Sequence, residues 1–286
     1  MQETDSLGRA TFHNIQRQDG IKPTKRELRW LKHIERHGPQ ASTYLHALTA
    51  DTHKCEDTTR RQLQKLRAGG LLFLPQQQRQ TEKADFNPYI YDLAPRGKAY
   101  LEDYDLAEPT VRPTGHWWHS YLTACVTSSI EINAAKEGTR FIPAHEILVR
   151  NGSSLAIPMG GSSKLIPDQL FALDYGGSYR AFMLEVDRGT EPYASSANRK
   201  SLKRSIDQYA KVIEGDLHRQ NYGLKANVLV LWVFTSKARQ RKFEEMLEGE
   251  SRKVRRVIWT GYAPQNINFV PLTSLLDGAY RHLFEK

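Results

Sequence analysis

The chain has 286 residues and is basic, with a formal net charge of +9 at neutral pH and a sequence pI of about 9.4. This length allows one large domain or two smaller ones, and such an excess of positive charge is typical of proteins that bind nucleic acids. A mean hydropathy of -0.61 and the lack of a long apolar run exclude a transmembrane helix, and the N-terminal segment lacks the apolar core of a signal peptide.

Cysteine usage indicates the compartment. The sequence contains two cysteines, Cys55 and Cys125, and no CxxC motif. This argues against a zinc site and against a secreted disulfide scaffold. We therefore expect a cytoplasmic protein with free thiols and no membrane partner.

The N-terminal third of the sequence has a helical pattern. Residues 1–22 are polar and aperiodic, and we expect them to form a flexible arm. Thr24, with Glu27 three residues later, has the spacing of a capping box, and the helix that it begins should end at Gly38. Two more helices are predicted next, at 41–50 and 57–70. A strand at 71–74, a returning strand at 89–93 and a helix from 94 follow.

Three short helices followed by a hairpin resemble a winged helix-turn-helix. The sequence TTRRQLQKLRAGGLL, residues 58–72, carries this resemblance. Leu63 and Leu66 have the spacing of core residues. The polar side chains of this helix therefore lie on its opposite side, where a recognition helix meets the major groove. The alternatives are a solvated helix face and a winged domain used for protein contacts. We predict DNA contacts by these residues: Thr58, Thr59, Arg60, Arg61, Gln64 and Lys65 on the helix, and Arg79 and Lys83 on the wing.

An acidic stretch interrupted by prolines, residues 102–115, is typical of a linker. We therefore predict four segments. They are a flexible arm over 1–22, a winged DNA-binding domain over 23–104, a linker over 105–115 and a second domain over 116–286.

The second domain has the pattern of an α/β protein. A long helix over 116–137, on which Glu131 is a candidate acid, precedes a strand over 140–149. The continuous apolar run ANVLVLWVF is typical of a strand buried on both faces of a mixed sheet. Further elements are predicted around it: helices at 195–213 and 237–247, strands at 255–261 and 266–271, and a closing helix at 273–284. The fold class is therefore α/β, with a mixed sheet flanked by helices.

Residues 164–191 have the pattern of a β-hairpin, because two apolar runs flank the turn sequence DYGGS at 174–178. If Gly176-Gly177 forms a two-residue turn, Tyr175 pairs with Ser178. The register of both strands then follows by counting outward from this pair. A longer loop would shift that register.

The predicted register brings carboxylates together at the open end of the hairpin. Asp168 lies opposite Glu185, and Asp187 shares the face of Glu185 because side chains alternate along a strand. Like charges in these positions repel, and a hard cation such as Mg²⁺ or Mn²⁺ would relieve the repulsion. We therefore predict Asp168, Glu185 and Asp187 as metal ligands. In the alternative, the acids are solvated or paired with Arg188 or Arg180.

Pro167-Asp168, followed on the next strand by Glu185-Val186-Asp187, resembles the PD-(D/E)XK nuclease signature. The longer string PDQLFALDYGGSYRAFMLEVDRGTE and the helix after it resemble the replication-relaxation family of plasmid and mobile-element proteins, over roughly residues 117–234. The resemblance implies a restriction-endonuclease-like fold and a role in replication, mobilisation or transfer of a plasmid or similar element.

One departure from the nuclease signature bears on catalysis. The signature has lysine where this chain has Asp187, so either another lysine has taken over its role or the domain holds DNA without cutting it. Lys203, on the helix after the hairpin, is the candidate replacement, with Lys200 as a second choice. The alternative is that these lysines belong to a solvated helix face.

Three functions remain open from the sequence. The first is a DNA-binding accessory or regulatory protein with a non-cutting nuclease-like domain. The second is a Mg²⁺-dependent endonuclease, in which Asp168, Glu185, Asp187 and Lys203 are catalytic. The third is an interaction module that recruits a relaxase or a replication initiator. Winged domains often dimerise, and the sequence does not decide whether this chain forms a homodimer.

Overall fold

The structure is a computed structural model that describes residues 11–81, 84–109, 111, 115–195, 200–225 and 228–272. Contacts divide the chain into two units. Unit 1 comprises Met1–Arg112, His116–Ile132 and Asn268–Pro271, and unit 2 comprises Pro113–Gly115, Asn133–Ile267 and Leu272–Lys286. None of the described helices combines the length and apolar character that crossing a bilayer requires.

Unit 1 contains short helices and a small antiparallel sheet. In chain order its described elements are α1 (Lys25–His37), β1 (Gln40–Ala41), α2 (Ser42–Leu48), α3 (Glu56–Ala68), β2 (Leu72–Phe73), β3 (Ile90–Leu93), α4 (Pro95–Asp103) and the first part of α5 (Trp117–Lys136). Strand β3 lies between β1 and β2 and is antiparallel to both. The predicted succession of three helices and a hairpin is therefore present.

Local sequence signals explain where α1 begins and which side of α3 is buried. Thr24 caps α1, and its side chain and that of Glu27 form the predicted capping box. Leu63 and Leu66 of α3 are fully buried in the core of unit 1, together with Trp30 of α1. The opposite side of α3 is therefore the side that carries its polar residues.

The division into units differs from the predicted linker at 105–115. The first part of α5 belongs to unit 1, because side chains of α5 bond to side chains of α1. The bonded pairs are His33 with Ser128 and His37 with Thr127. The buried hydroxyl of Ser129 also bonds to Tyr44 of α2.

Unit 2 is built on a five-stranded mixed sheet flanked by helices, as the α/β prediction requires. Its described elements after α5 are β4 (Arg140–Pro143), α6 (Ala144–Leu148), β5 (Ile157–Pro158), β6 (Lys164–Leu165), β7 (Gln169–Asp174), β8 (Tyr179–Asp187), α7 (Leu202–Glu214), α8 (Leu217–Tyr222), β9 (Val228–Phe234), α9 (Lys237–Leu247), α10 (Arg252–Val257) and β10 (Ile258–Tyr262). The strand order is β10-β9-β8-β7-β4. Neighbours from β4 to β8 are antiparallel, and those from β8 to β10 are parallel.

The predicted hairpin register is confirmed. Asp174 pairs with Tyr179 at one end of the β7–β8 ladder and Gln169 with Leu184 at the other. The amide of Tyr175 donates to the carbonyl of Ser178 at 2.8 Å, so the turn is the two-residue Gly-Gly turn. Both glycines have positive φ, +76° and +116°, which a residue with a side chain rarely adopts.

Some predicted bounds differ from the structure. Helix α7 begins at Leu202 with Ser201 as its N-cap, not near 195, although residues 196–199 are outside the described part. The strand predicted over 255–261 is shorter, because α10 occupies its first residues. The strand predicted over 266–271 is a 3-10 helix at Gln265–Asn268, and the closing helix at 273–284 lies outside the described residues.

Candidate functional site

Asp168 and Glu185 are brought together by the hairpin of unit 2. Asp168 comes directly before β7, and its Oδ2 accepts a hydrogen bond from the backbone amide of Val186 on β8 at 2.8 Å. Glu185 lies on β8 and is only 5% exposed. The hydroxyl of Tyr209 on α7 donates to Glu185 Oε1 at 2.7 Å. Both carboxyl groups are therefore held by neighbouring groups of unit 2.

The electrostatic environment of Glu185 is unfavourable to its charge. Burial raises the pKa of Glu185 well above its usual range, and the nearby Asp168 carboxylate raises it further. The hydroxyl of Tyr209 and the ammonium of Lys200 act in the opposite direction but do not overcome these effects. Without a further cation, Glu185 therefore tends to keep its proton.

Lys200 supplies positive charge next to this pair. Its Nζ lies 3.0 Å from Glu191 Oε1, and its side chain is 59% exposed. Burial lowers the pKa of Lys200, but the acidic groups Glu185 and Glu191 together outweigh burial and leave the pKa raised. Lys200 therefore lies near Glu185, in the segment before α7, and forms its ion pair with Glu191.

The predicted replacement lysine, Lys203, is not brought to the carboxyl pair. Its Nζ lies 2.8 Å from Asp207 and 2.9 Å from Glu250. The reason is the later start of α7, which puts Lys203 in the first helical turn and leaves Lys200 in the extended segment ahead of the cap Ser201. Of the two candidate lysines, Lys200 is therefore the one that lies near the carboxyl pair.

Asp187 is also separated from the pair, by an arginine from α9. Arg239 Nη2 lies 2.7 Å from Asp187 Oδ2, and both side chains are largely buried. The backbone amide of Gly189 donates to the same carboxylate. Among the described residues, Asp168, Glu185 and Asp187 do not form a group whose oxygens all lie within 4.8 Å of one another. The structure therefore joins two of the three predicted ligands and pairs the third with Arg239.

In unit 1, helix α3 exposes part of the predicted DNA-binding face. Arg60 and Arg61 are exposed, and Thr58 and Gln64 are partly exposed. Arg60 pairs with Glu56 at 3.0 Å and with Asp57 at 3.1 Å on the same helix. Next to this face is a groove of about 280 Å³, lined by these residues among others: Arg60, Gln64, Asn87, Tyr89 and Tyr91.

The other predicted DNA contacts of unit 1 have different surroundings. Thr59 is buried, and its hydroxyl bonds to His46 Nδ1 and His53 Nε2, so it does not lie on the exposed face. Lys65 Nζ lies 2.8 Å from the buried carboxylate of Glu27. Arg79 pairs with Asp85, and Lys83 lies outside the described residues.

One cluster in unit 1 is absent from the predictions. His33 and His37 of α1 meet Glu131 of α5: His33 Nδ1 lies 3.2 Å from Glu131 Oε2, and His37 Nε2 contacts the same oxygen. Glu131 was predicted as a candidate acid of the nuclease-like domain, whereas the structure places it beside two histidines of unit 1. The spacing of His33 and His37, four residues apart, was the available signal.

A match to a family model identifies the family of this chain. Residues 31–228 match the replication-relaxation family model. The protein belongs to the replication-relaxation family. The match includes α3, the Asp168–Glu185 pair and Lys200, and it confirms the resemblance seen in the sequence. Membership indicates a replication-related role on a plasmid or mobile element.

The other comparisons add little. A search of curated proteins found no match. Among solved structures, that of restriction endonuclease FokI is similar with 11% sequence identity and a TM-score of 0.26. The alignment covers 91% of this chain and 47% of the FokI chain, so this protein spans about half the length of that structure. A TM-score this low does not establish a common fold.

Proposed function

We propose that this replication-relaxation protein binds double-stranded DNA through α3, as an accessory or regulatory protein of plasmid or mobile-element replication, mobilisation or transfer. The observation that supports this proposal is the exposed polar face of α3. Because Leu63 and Leu66 anchor the helix in the core, Arg60, Arg61 and Gln64 are left facing outward. Long arginine and glutamine side chains on a helix of this kind can hold phosphates and contact base edges.

The ion pairs of Arg60 do not oppose this function. The side chains of Arg60, Glu56 and Asp57 are 58%, 50% and 65% exposed, and pairs between such exposed groups contribute little to stability. A phosphate can therefore take the place of either acid at Arg60. The net charge of +9 favours association with DNA at low salt.

The test is a gel shift on linear duplex DNA at several salt concentrations. We expect Arg60→Ala with Arg61→Ala to weaken binding at least tenfold and to reduce the slope of log K against log salt by about 2, because two phosphate contacts are lost. Arg29→Ala with Lys32→Ala removes two cations from α1 and is the matched control. Equal affinities for all three proteins would exclude α3 as the DNA-binding helix.

We further propose that the unit 2 pair binds Mg²⁺ or Mn²⁺. Carboxylate oxygens are the ligands that these hard cations prefer, and Asp168 and Glu185 supply one carboxylate each. The raised pKa of Glu185 supports this proposal, since a cation at this position would stabilise the ionised carboxylate. In this function the bound ion would hold a DNA phosphate without cutting.

The position of Lys200 favours a second candidate function, that of a metal-dependent endonuclease. A bound divalent ion would make water a better nucleophile at neutral pH and would stabilise negative charge on the phosphate. Asp168 and Glu185 would hold the ion, and the Tyr209 hydroxyl would keep Glu185 in place. The ammonium of Lys200 would orient the attacking water or the phosphate, in place of the lysine that Asp187 replaces. Cutting one strand also relaxes supercoiled DNA, which agrees with the family description.

The two candidates are separated by incubating supercoiled plasmid with the protein and Mg²⁺ or Mn²⁺. If the protein is an endonuclease, we expect nicking by the wild type and its loss in Asp168→Asn, Glu185→Gln and Lys200→Met. Lys203→Met is the matched control, because that lysine pairs with Asp207 and Glu250 instead, and it should retain nicking. DNA binding without nicking by the wild type would favour the accessory function.

A further inference from the structure

Three atoms of metal-binding type meet in unit 1, away from the α3 face. They are His33 Nδ1 and His37 Nε2 of α1 and Glu131 Oε2 of α5, all within 4.8 Å of one another. We propose that His33, His37 and Glu131 form a zinc site that joins α1 to α5. The site is independent of the DNA-binding and nuclease functions proposed above.

The helix positions suit this coordination. Residues four apart on an α-helix lie on the same face, so α1 presents both imidazoles to a single point. The same spacing supplies two histidine ligands to zinc in the HExxH motif. Two imidazole nitrogens and one carboxylate oxygen form a ligand set that favours zinc over Mg²⁺ or Ca²⁺, which prefer oxygen ligands alone.

The second nitrogen of each imidazole is held by α5. His37 Nδ1 lies 2.8 Å from Thr127 Oγ1, and His33 Nε2 lies 2.7 Å from Ser128 Oγ. Metal-binding histidines nearly always have such a partner, which fixes the ring orientation and the tautomer. Here two consecutive hydroxyl residues, one turn before Glu131, fill that role for both rings.

The hydrogen bonds of Thr127 indicate which nitrogen of His37 carries the proton. The Thr127 hydroxyl is 3.1 Å from the carbonyl of Thr123 on the preceding turn and donates its only proton there. Thr127 Oγ1 then accepts from His37 Nδ1–H, so a neutral His37 directs the lone pair of Nε2 at Glu131 Oε2. Two lone pairs in contact repel unless a proton or a metal ion lies between them.

The same oxygen of Glu131 also lies close to a nitrogen of His33. His33 Nδ1 is buried and has no hydrogen-bond partner, although it lies 3.2 Å from Glu131 Oε2. A zinc ion would satisfy both imidazole lone pairs and the carboxylate.

Arg36 orients the carboxylate of Glu131 towards the two histidines. Its guanidinium binds Glu131 Oε1 and, at 2.7 Å, Glu108 Oε1, so the second oxygen of Glu131 is the one that points to the histidines. Ligating carboxylates are commonly held by such an outer hydrogen bond. Because His33 and His37 are almost fully buried, the ion would stabilise the packing of α1 against α5 rather than act on a substrate.

The test is zinc titration of the full-length protein after removal of metals, in competition with a chromophoric chelator. We expect one equivalent to bind with a Kd in the micromolar range or below. We expect His37→Asn and Glu131→Gln to weaken binding at least tenfold, and Thr127→Val, which removes an outer hydrogen bond, to weaken it about tenfold. His53→Asn is the matched control, because His53 belongs to the other histidine pair of unit 1, with His46, and should leave the affinity unchanged. Glu185→Gln should also leave it unchanged.

A measurement on the wild type covers the case in which a buried variant does not fold. Co²⁺ in place of zinc should give visible absorption bands and should shift the NMR signals of two imidazole rings. A wild type that binds neither ion in the micromolar range, variants that bind as the wild type does, or a Co²⁺ spectrum with fewer than two shifted rings would each overturn the proposal. The cluster would then be an ion pair that shares a proton.

Discussion

Glu131 of unit 1 and Glu185 of unit 2 are both largely shielded from water, yet the pKa values of their carboxyl groups move in opposite directions. Burial raises the pKa of both. At Glu131 the interactions with His33 and His37 outweigh burial and hold the pKa of the carboxyl group well below its usual range. At Glu185 the charge of Asp168 adds to the effect of burial and raises the pKa further.

The partners of a buried carboxyl group, rather than its burial, therefore decide which protonation state it adopts. This difference also separates the two proposed metal sites. Glu131 is ionised before any ion arrives, so zinc would displace no proton from it. Glu185 tends to keep its proton, so binding of Mg²⁺ or Mn²⁺ there should release one.

The comparison is tested most strongly by the same substitution at both positions in metal-free protein. Glu131→Gln removes one of the two carboxylates that pair with Arg36, the other being Glu108, and we expect it to lower the free energy of unfolding by about 3 kcal/mol. Glu185→Gln removes a charge that burial and Asp168 oppose, so we expect no loss of stability, or a gain, at neutral pH. Urea unfolding measures both, and equal losses would contradict the assigned pKa directions.

A smaller effect is expected from Mn²⁺. Free Mn²⁺ at 100 times its Kd should raise the free energy of unfolding of the wild type by about 2.7 kcal/mol. The increase should disappear in Glu185→Gln and persist in Glu131→Gln. Differential scanning fluorimetry with and without Mn²⁺ measures it. A response that survives in Glu185→Gln would place the ion elsewhere.

The smallest effects are expected in the pH dependence of the free energy of unfolding, compared between the wild type and each glutamine variant, again without metal. The pKa of Glu131 is lowered from 4.5, so its stabilising contribution is present above pH 4.5 and is lost as the pH falls below that value. The pKa of Glu185 is raised from 4.5, so the wild type loses stability relative to Glu185→Gln as the pH rises above that value. Unfolding curves from about pH 2.5 to about pH 8 should show the two opposite trends, and parallel trends would contradict them.

Local patterns predicted the parts of the fold that depend on neighbouring residues. The Gly176-Gly177 turn fixed the pairing of Tyr175 with Ser178, and the counted register correctly placed Asp168 opposite Glu185. The capping box at Thr24 was predicted in the same way. In each case the interacting residues are close in sequence or are linked by a tight turn.

The contacts of the site residues that sequence reasoning missed join distant segments of the chain. The pairing of Asp187 with Arg239 joins β8 to α9, and no local pattern indicates it. The pairing of Lys203 with Asp207 and Glu250, and of Lys200 with Glu191, depends on where α7 begins after a segment without periodicity. Glu131 joins His33 and His37 only through the packing of α5 on α1, so the histidine spacing alone did not reveal the cluster.

The parallel pairing of β8 with β9 has a consequence for the order of folding. A parallel pair needs a long crossover, and here the crossover holds both Lys200 and Tyr209. The β7–β8 hairpin can close within microseconds, whereas contacts that depend on the crossover carry a larger loop-closure cost. We therefore expect Asp168 and Glu185 to meet early in folding, and Lys200 and Tyr209 to join them only when the sheet is completed.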